Sequence, residues 1–219
     1  MGEVEIILNA NQLVIHSVLF FYGDIVSNSL AIQVANDISN HWNEPRATVI
    51  INKNIHRVIF NIEGIWSKSL VPEMIFDNCN PRNNYFRIEE YAMNNISFVD
   101  DIPCNTGYFK LENLLNNSTT AAHEYGHTLG LHHPQILDIR GKGQPGIMYP
   151  RGTVCDSQFH YDPLVAPGEK GGTLNPFTRK VLQADVDMLQ LQRLSFNHKG
   201  LAVIGDFSSV FHENHAGNI

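Results

Sequence analysis

The chain has too few cysteines for a disulfide scaffold: Cys79, Cys104 and Cys155 are the only three in 219 residues. An odd number cannot all pair within one chain, which leaves either one disulfide and a free thiol or three buried thiols. Basic runs are missing too. Fifteen lysines and arginines stand against 22 acidic residues, for a net charge of −7, and no cluster of them could neutralise a phosphate backbone. Nucleic acid is therefore not an expected partner. The most apolar stretch, residues 13–21, is too short to span a bilayer, and the opening Met1-Gly2-Glu3-Val4-Glu5 is acidic where a secretory signal is basic. Neither a membrane partner nor a signal peptide is expected. The compartment stays open: a soluble protein, secreted if this chain is a processed form. Internal repeats and low-complexity tracts are also lacking. With 43% hydrophobic residues, the length suits one substantial core, and a single-domain monomer is expected.

Against this plain background one segment carries chemistry. His123-Glu124-Tyr125-Gly126-His127-Thr128-Leu129-Gly130-Leu131-His132-His133 reads H-E-x-x-H-x-x-G-x-x-H. On a helix, positions i and i+4 share a face, so His123 and His127 can offer imidazole nitrogens to one ion. Glu124 lies beside that ion without ligating it, where it can take a proton from an activated water and return it to a leaving group. Gly130 tolerates a left-handed backbone, which lets the helix stop and a third imidazole swing back. The spacing favours His133 for that role over its neighbour His132, which is read as solvent-facing or as a support behind the ligands. Three neutral nitrogens leave an open tetrahedral position, the arrangement of a catalytic zinc site. At this composition H-E-x-x-H arises by chance in roughly a few chains per hundred; the added Gly and His lower this to about one in ten thousand.

The extended motif resembles that of the metzincin zinc peptidases, and Gly146-Ile147-Met148-Tyr149-Pro150 is similar to their Met-turn. Met148 follows His133 by fifteen residues. The resemblance implies that Met148 packs beneath the three histidines and that Tyr149 and Pro150 border a substrate pocket. The Met-Tyr-Pro order is closest to matrixins, and Pro150 stands where other branches carry a zinc-binding tyrosine, so no tyrosine ligand is expected. Pro134, after the third histidine, departs from the branches it is compared with. Phe21-Tyr22-Gly23-Asp24 resembles the aspartate plug of astacin proenzymes, but the segment reads more simply as the start of a helix. No cysteine lies in a switch motif.

The resemblance implies an α+β fold: a twisted mixed sheet with two backing helices above the cleft, and an irregular lower subdomain with a C-terminal helix. Residues 1–194 form the catalytic domain, upper about 1–130 and lower about 131–194, with 195–219 a carboxy-terminal extension. The pattern fits. Residues 3–8, 13–22, 48–51 and 57–62 read as strands, and Ala31, Ala35, Ile38 and Trp42 mark one face of a helix over 26–43. Residues 77–84 read as loop, and further strands fall in 85–88 and 96–111; the resemblance implies that a strand within 96–111 borders the cleft and binds substrate as an added antiparallel strand. The motif helix is expected from Asn117 or Ser118 to Gly130. Asn175-Pro176 reads as the start of the last helix, with Val181, Ala184, Met188 and Leu191 as its apolar stripe. His212 and His215 lie in the extension, read as a partly ordered tail and not a second metal site.

These readings predict a zinc-dependent endopeptidase: His123, His127 and His133 hold one Zn2+, Glu124 is the general base, and a protein or peptide is the substrate. Two alternatives stay open, a catalytically silent zinc-containing peptide-binding module and a zinc hydrolase of a non-peptide amide. Ca2+ is unsupported, since Asp156, Asp162 and Glu169 show no fixed ligand spacing.

Overall fold

A computed structural model describes residues 1–215. β1 (Gly2–Ile7) and β2 (Gln12–Tyr22) form an antiparallel pair, and α1 (Asn28–Asn43) follows. β3 (Thr48–Ile51) and β4 (Asn54–Trp66) form a hairpin. Its two loop residues, Asn52 and Lys53, have φ values of 50° and 66°, as a twist-matching type I′ turn requires. Then come a short α2 (Pro72–Phe76) with proline at its first position, β5 (Asn83–Glu89), β6 (Phe98–Val99) and β7 (Thr106–Lys110). The region 96–111 thus holds two strands, and only β6 ends the sheet. The order is β3-β4-β2-β5-β7-β6.

β2 organises this mixed sheet. One edge pairs in parallel with β4 throughout, while the other is shared, first by antiparallel β1 and then by parallel β5. Its Leu13, Ile15, Leu19 and Phe21 are fully buried. Burial of each large apolar side chain contributes roughly 1.5–3 kcal/mol. β8 (Leu201–Ile204) lies antiparallel to β1, so this part of the extension, read from the sequence as tail, is an eighth strand.

α1 packs against the sheet through Ala31, Val34, Ala35, Ile38 and Trp42, and Ser27 caps it by accepting the Leu30 N–H at 3.2 Å. α3 (Thr120–Thr128) is buried along its whole length. It starts later than expected because Asn116 and Asn117 adopt left-handed φ values of 59° and 58°. Two side chains fix its height over the sheet. Trp42 Nε1 donates to the Ala122 carbonyl at 3.0 Å, and Tyr125 Oη meets Ser17 Oγ at 2.8 Å.

Beyond Gly130 the chain is irregular, with isolated bridges such as Asp138↔Val154 and a small cluster of Ile139, Cys155 and Leu174. The closing helix differs from expectation. Asn175 caps only the 3₁₀ turn Pro176–Thr178; Arg179 is extended, and α4 (Gln183–Met188) begins afresh. Ala184 and Met188 are exposed, Met188 at 48%, and the buried face is Asp185, Val186 and Leu189. The apolar stripe misled because a charged residue, Asp185, is drawn inward by backbone N–H groups. All three cysteines are free, Cys79 exposed and the others buried, so neither thiol arrangement expected from the sequence holds. Among the described residues no helix is long and apolar enough to cross a membrane.

Candidate metal centre

α3 ends in a Schellman turn. The Gly130 N–H donates to the His127 carbonyl and the Leu131 N–H to the Gly126 carbonyl, both at 3.0 Å, with Gly130 at φ 101°. This reversal brings His133 back to the helix. His133 Nε2 lies 3.0 Å from His123 Nε2 and 3.2 Å from His127 Nε2, and the ligating nitrogens of all three lie within 4.8 Å of one another.

The far ring nitrogens explain why these faces converge. His123 Nδ1 donates to the Ile147 carbonyl at 2.7 Å and His127 Nδ1 to the Leu131 carbonyl at 2.6 Å, which leaves each Nε2 as a bare lone pair. Burial drives the same state. His123 is held well below its ordinary pKa by burial and by the Arg179 guanidinium; His127 is pulled down to about 4, mainly by burial; His133 is lowered by burial and Arg179. Neutral imidazoles aimed at one point repel one another unless a cation lies between them. A tetrahedral divalent ion about 2.0–2.1 Å from each nitrogen would space them about 3.3 Å apart, close to the two separations found here. The residues therefore fit a metal ion.

Glu124 is 7% exposed at the same pocket. Burial pushes its carboxyl up to about 8, against the opposing pull of Arg179 and the N–H of Val99 in β6. Met148 is fully buried, and a Cβ on Gly126 would come within 2.5 Å of its sulfur, so the glycine between the two helical histidines is what lets Met148 press against α3. Asp185 fastens this turn: its carboxylate accepts the N–H groups of Leu182 at 2.7 Å, Ile147 at 3.4 Å and Met148. The carbonyl that orients His123 is thus held from α4.

Of the expected site residues, the three histidines, Glu124, Met148 and Pro150 meet at this centre, while Tyr149 lines another cavity with Pro134, Gly146 and Met188. Pro150 lines the pocket with His123, Glu124 and His133, whereas Tyr149 packs against Ile139, Cys155 and Leu174. His132 is exposed. Asp24 lies elsewhere, beside Glu89 and Asn214. His212 bonds Asp100 at 2.7 Å and His215 stacks on Tyr108; among the described residues the three histidines of the motif are the one group of three metal-ligating side chains. Asp156 and Asp162 accept backbone N–H groups of Gly141 and Leu164. Sequence reading missed Arg179 and Asp185. Arg179 gave no local signal, whereas an acidic residue three positions into a helix is a capping pattern that could have marked Asp185.

No protein-family model matches the chain, and no curated protein matches it. What fold and site define is a mixed α+β protein whose three histidines can hold a metal ion.

Proposed function

We propose that this protein is a zinc-dependent endopeptidase of the metzincin kind, hydrolysing internal peptide bonds of protein or peptide substrates. The observation that carries the reading is the convergence of three imidazole Nε2 atoms with a buried glutamate lining the same pocket. When bound, zinc supplies Lewis acidity, which acidifies water and polarises a carbonyl. The rest falls to the chain. Ile147 and Leu131 hold two imidazoles in the ligating tautomer. Glu124, oriented by the Val99 N–H, takes the proton from the attacking water and delivers it to the leaving amine. β6 ends the sheet beside α3, and an extended peptide laid along this rim would present its backbone to the site.

The test is cleavage of a diverse peptide library by zinc-loaded protein, with Glu124→Gln and a chelator in parallel. Cuts that vanish in both controls are expected. Undiminished cutting by Glu124→Gln, or no cutting by protein with zinc bound, would overturn the proposal.

A further inference from the structure

The pocket beside the histidines carries a charge that the mechanism leaves unused. Arg179 is 5% exposed and lines this pocket, and so does the exposed Arg151. Neither takes part in an ion pair among the described residues. Buried guanidinium groups are ordinarily matched by a carboxylate, because desolvating an unpaired charge costs several kcal/mol.

The acceptors Arg179 does have are neutral. Nε donates to Thr119 Oγ1 at 3.0 Å and towards the Pro176 carbonyl at 3.3 Å; Nη2 donates to Thr119 Oγ1 at 2.9 Å and Nη1 to the Tyr149 carbonyl at 3.0 Å. His123 Nδ1 is also 3.0 Å from Nη1, but its proton is committed to Ile147, so it cannot accept. A guanidinium has five N–H bonds. Three are engaged, leaving one on each terminal nitrogen. The side chain is thereby fixed in place with no carboxylate paired to it, its charge favoured only through the fields of Glu124 and Tyr161.

We infer that this pocket is a carboxylate-binding subsite, in which Arg179 at the wall and Arg151 at the exposed side receive an acidic group of the peptide substrate next to the bond that is cut. Its place agrees: the cavity, about 200 Å³, is lined by His123, Glu124 and His133 as well as the two arginines, so a group received there lies next to the metal site. Its sign agrees as well, since two cations share one pocket on a chain of net charge −7. Arginine is suited to the task because its planar fork matches a carboxylate. The inference rests on the peptidase reading for what the subsite serves, but not for what it binds.

The experiment uses zinc-loaded protein and matched peptides that differ at one position beside the scissile bond: Glu, Gln or Lys. A free-acid and an amidated carboxy terminus are compared in each. Both kcat/KM and the dissociation constant are read, for wild type, Arg151→Glu and Arg179→Met. Wild type is expected to favour Glu over Gln by about tenfold to a hundredfold. Arg179→Met should abolish this preference. Because loss of Arg179 also frees Thr119 and the Tyr149 carbonyl, the exposed Arg151→Glu serves as the second variant; it should cut the preference severalfold with zinc content unchanged. A preference that follows only the free terminus would keep the carboxylate subsite and assign it to chain ends. Equal cutting of Glu and Gln peptides would overturn the subsite and leave the peptidase standing. If nothing is cut, the peptidase reading fails, and the subsite is judged by affinity: tighter binding of Glu than Gln peptides supports it, equal binding overturns it.

Discussion

In the upper region, up to Gly130, backbone ladders do the positioning; in the lower region, residues 131–194, side chains do. α3 lies over a sheet whose central strand is paired along both edges, and its place is fixed by Trp42 and Tyr125. Among the described residues the lower region has three isolated bridges in place of a ladder, and it holds its parts through Asp185 on the Met148 turn and Arg179 on Thr119 and Tyr149. A ladder fixes a helix, and with it two ligands of fixed spacing. It cannot fix a loop, so the third histidine and the lock on His123 depend on a few long-range polar contacts.

The largest expected effect tests what the upper region contributes by itself. Glu124→Gln should lower kcat by about a thousandfold, within the usual range for a general base, with zinc stoichiometry unchanged by metal analysis. Loss of zinc in that variant would mean that Glu124 is a ligand and the division of labour is misread. A second comparison pairs Met148→Ala with Leu19→Ala. Each removes a fully buried side chain and should cost about 2–5 kcal/mol in denaturant unfolding. Only Met148→Ala should also weaken zinc binding, because only that residue presses on the helix between two ligands. Equal zinc affinities would dissolve the distinction.

The pin on the lower region should show in pH dependence. Burial raises Asp185 from 3.8 to about 6, outweighing its backbone N–H partners. Between those values the folded state keeps a proton that the unfolded chain releases. The contribution is therefore full below about pH 3.8 and lost as pH rises through about 6, a change of roughly 3 kcal/mol. Wild-type stability measured relative to Asp185→Asn should fall across this window; a rise would contradict the assignment. The smallest effect belongs to the upper region. Lys53→Gly relieves a φ of 66° in the β3–β4 turn and should stabilise the fold by about 1 kcal/mol or less, with zinc affinity untouched.

The same division governs what could be read in the sequence. Ala31, Ala35, Ile38 and Trp42 repeat at helical spacing and are all buried on α1, and the strands read at 48–51 and 57–62 are the two arms of a hairpin. The spacing of His123, His127 and His133 around Gly130 also predicted their convergence, since helix geometry and one left-handed residue suffice to bring them together. These are local constraints. What stayed hidden depends on partners far along the chain. Residues 201–204 became a strand because β1 offered a free edge, not because of any alternation of their own. Arg179 and Asp185 look in sequence like solvated charges, and only the folded carbonyls and N–H groups around them explain their burial. The apolar spacing after Asn175 predicted one helix where Arg179, reaching back to Thr119, holds the backbone extended.

The most direct test of the central claim is zinc titration of metal-free wild type against His133→Ala, followed by competition with a chromophoric chelator. The account predicts one ion per chain in wild type and a loss of affinity of at least about a hundredfold when the loop histidine is removed, with the fold retained by circular dichroism. Equal stoichiometry and affinity in the two proteins would contradict it, because the lower region would then contribute nothing to the metal.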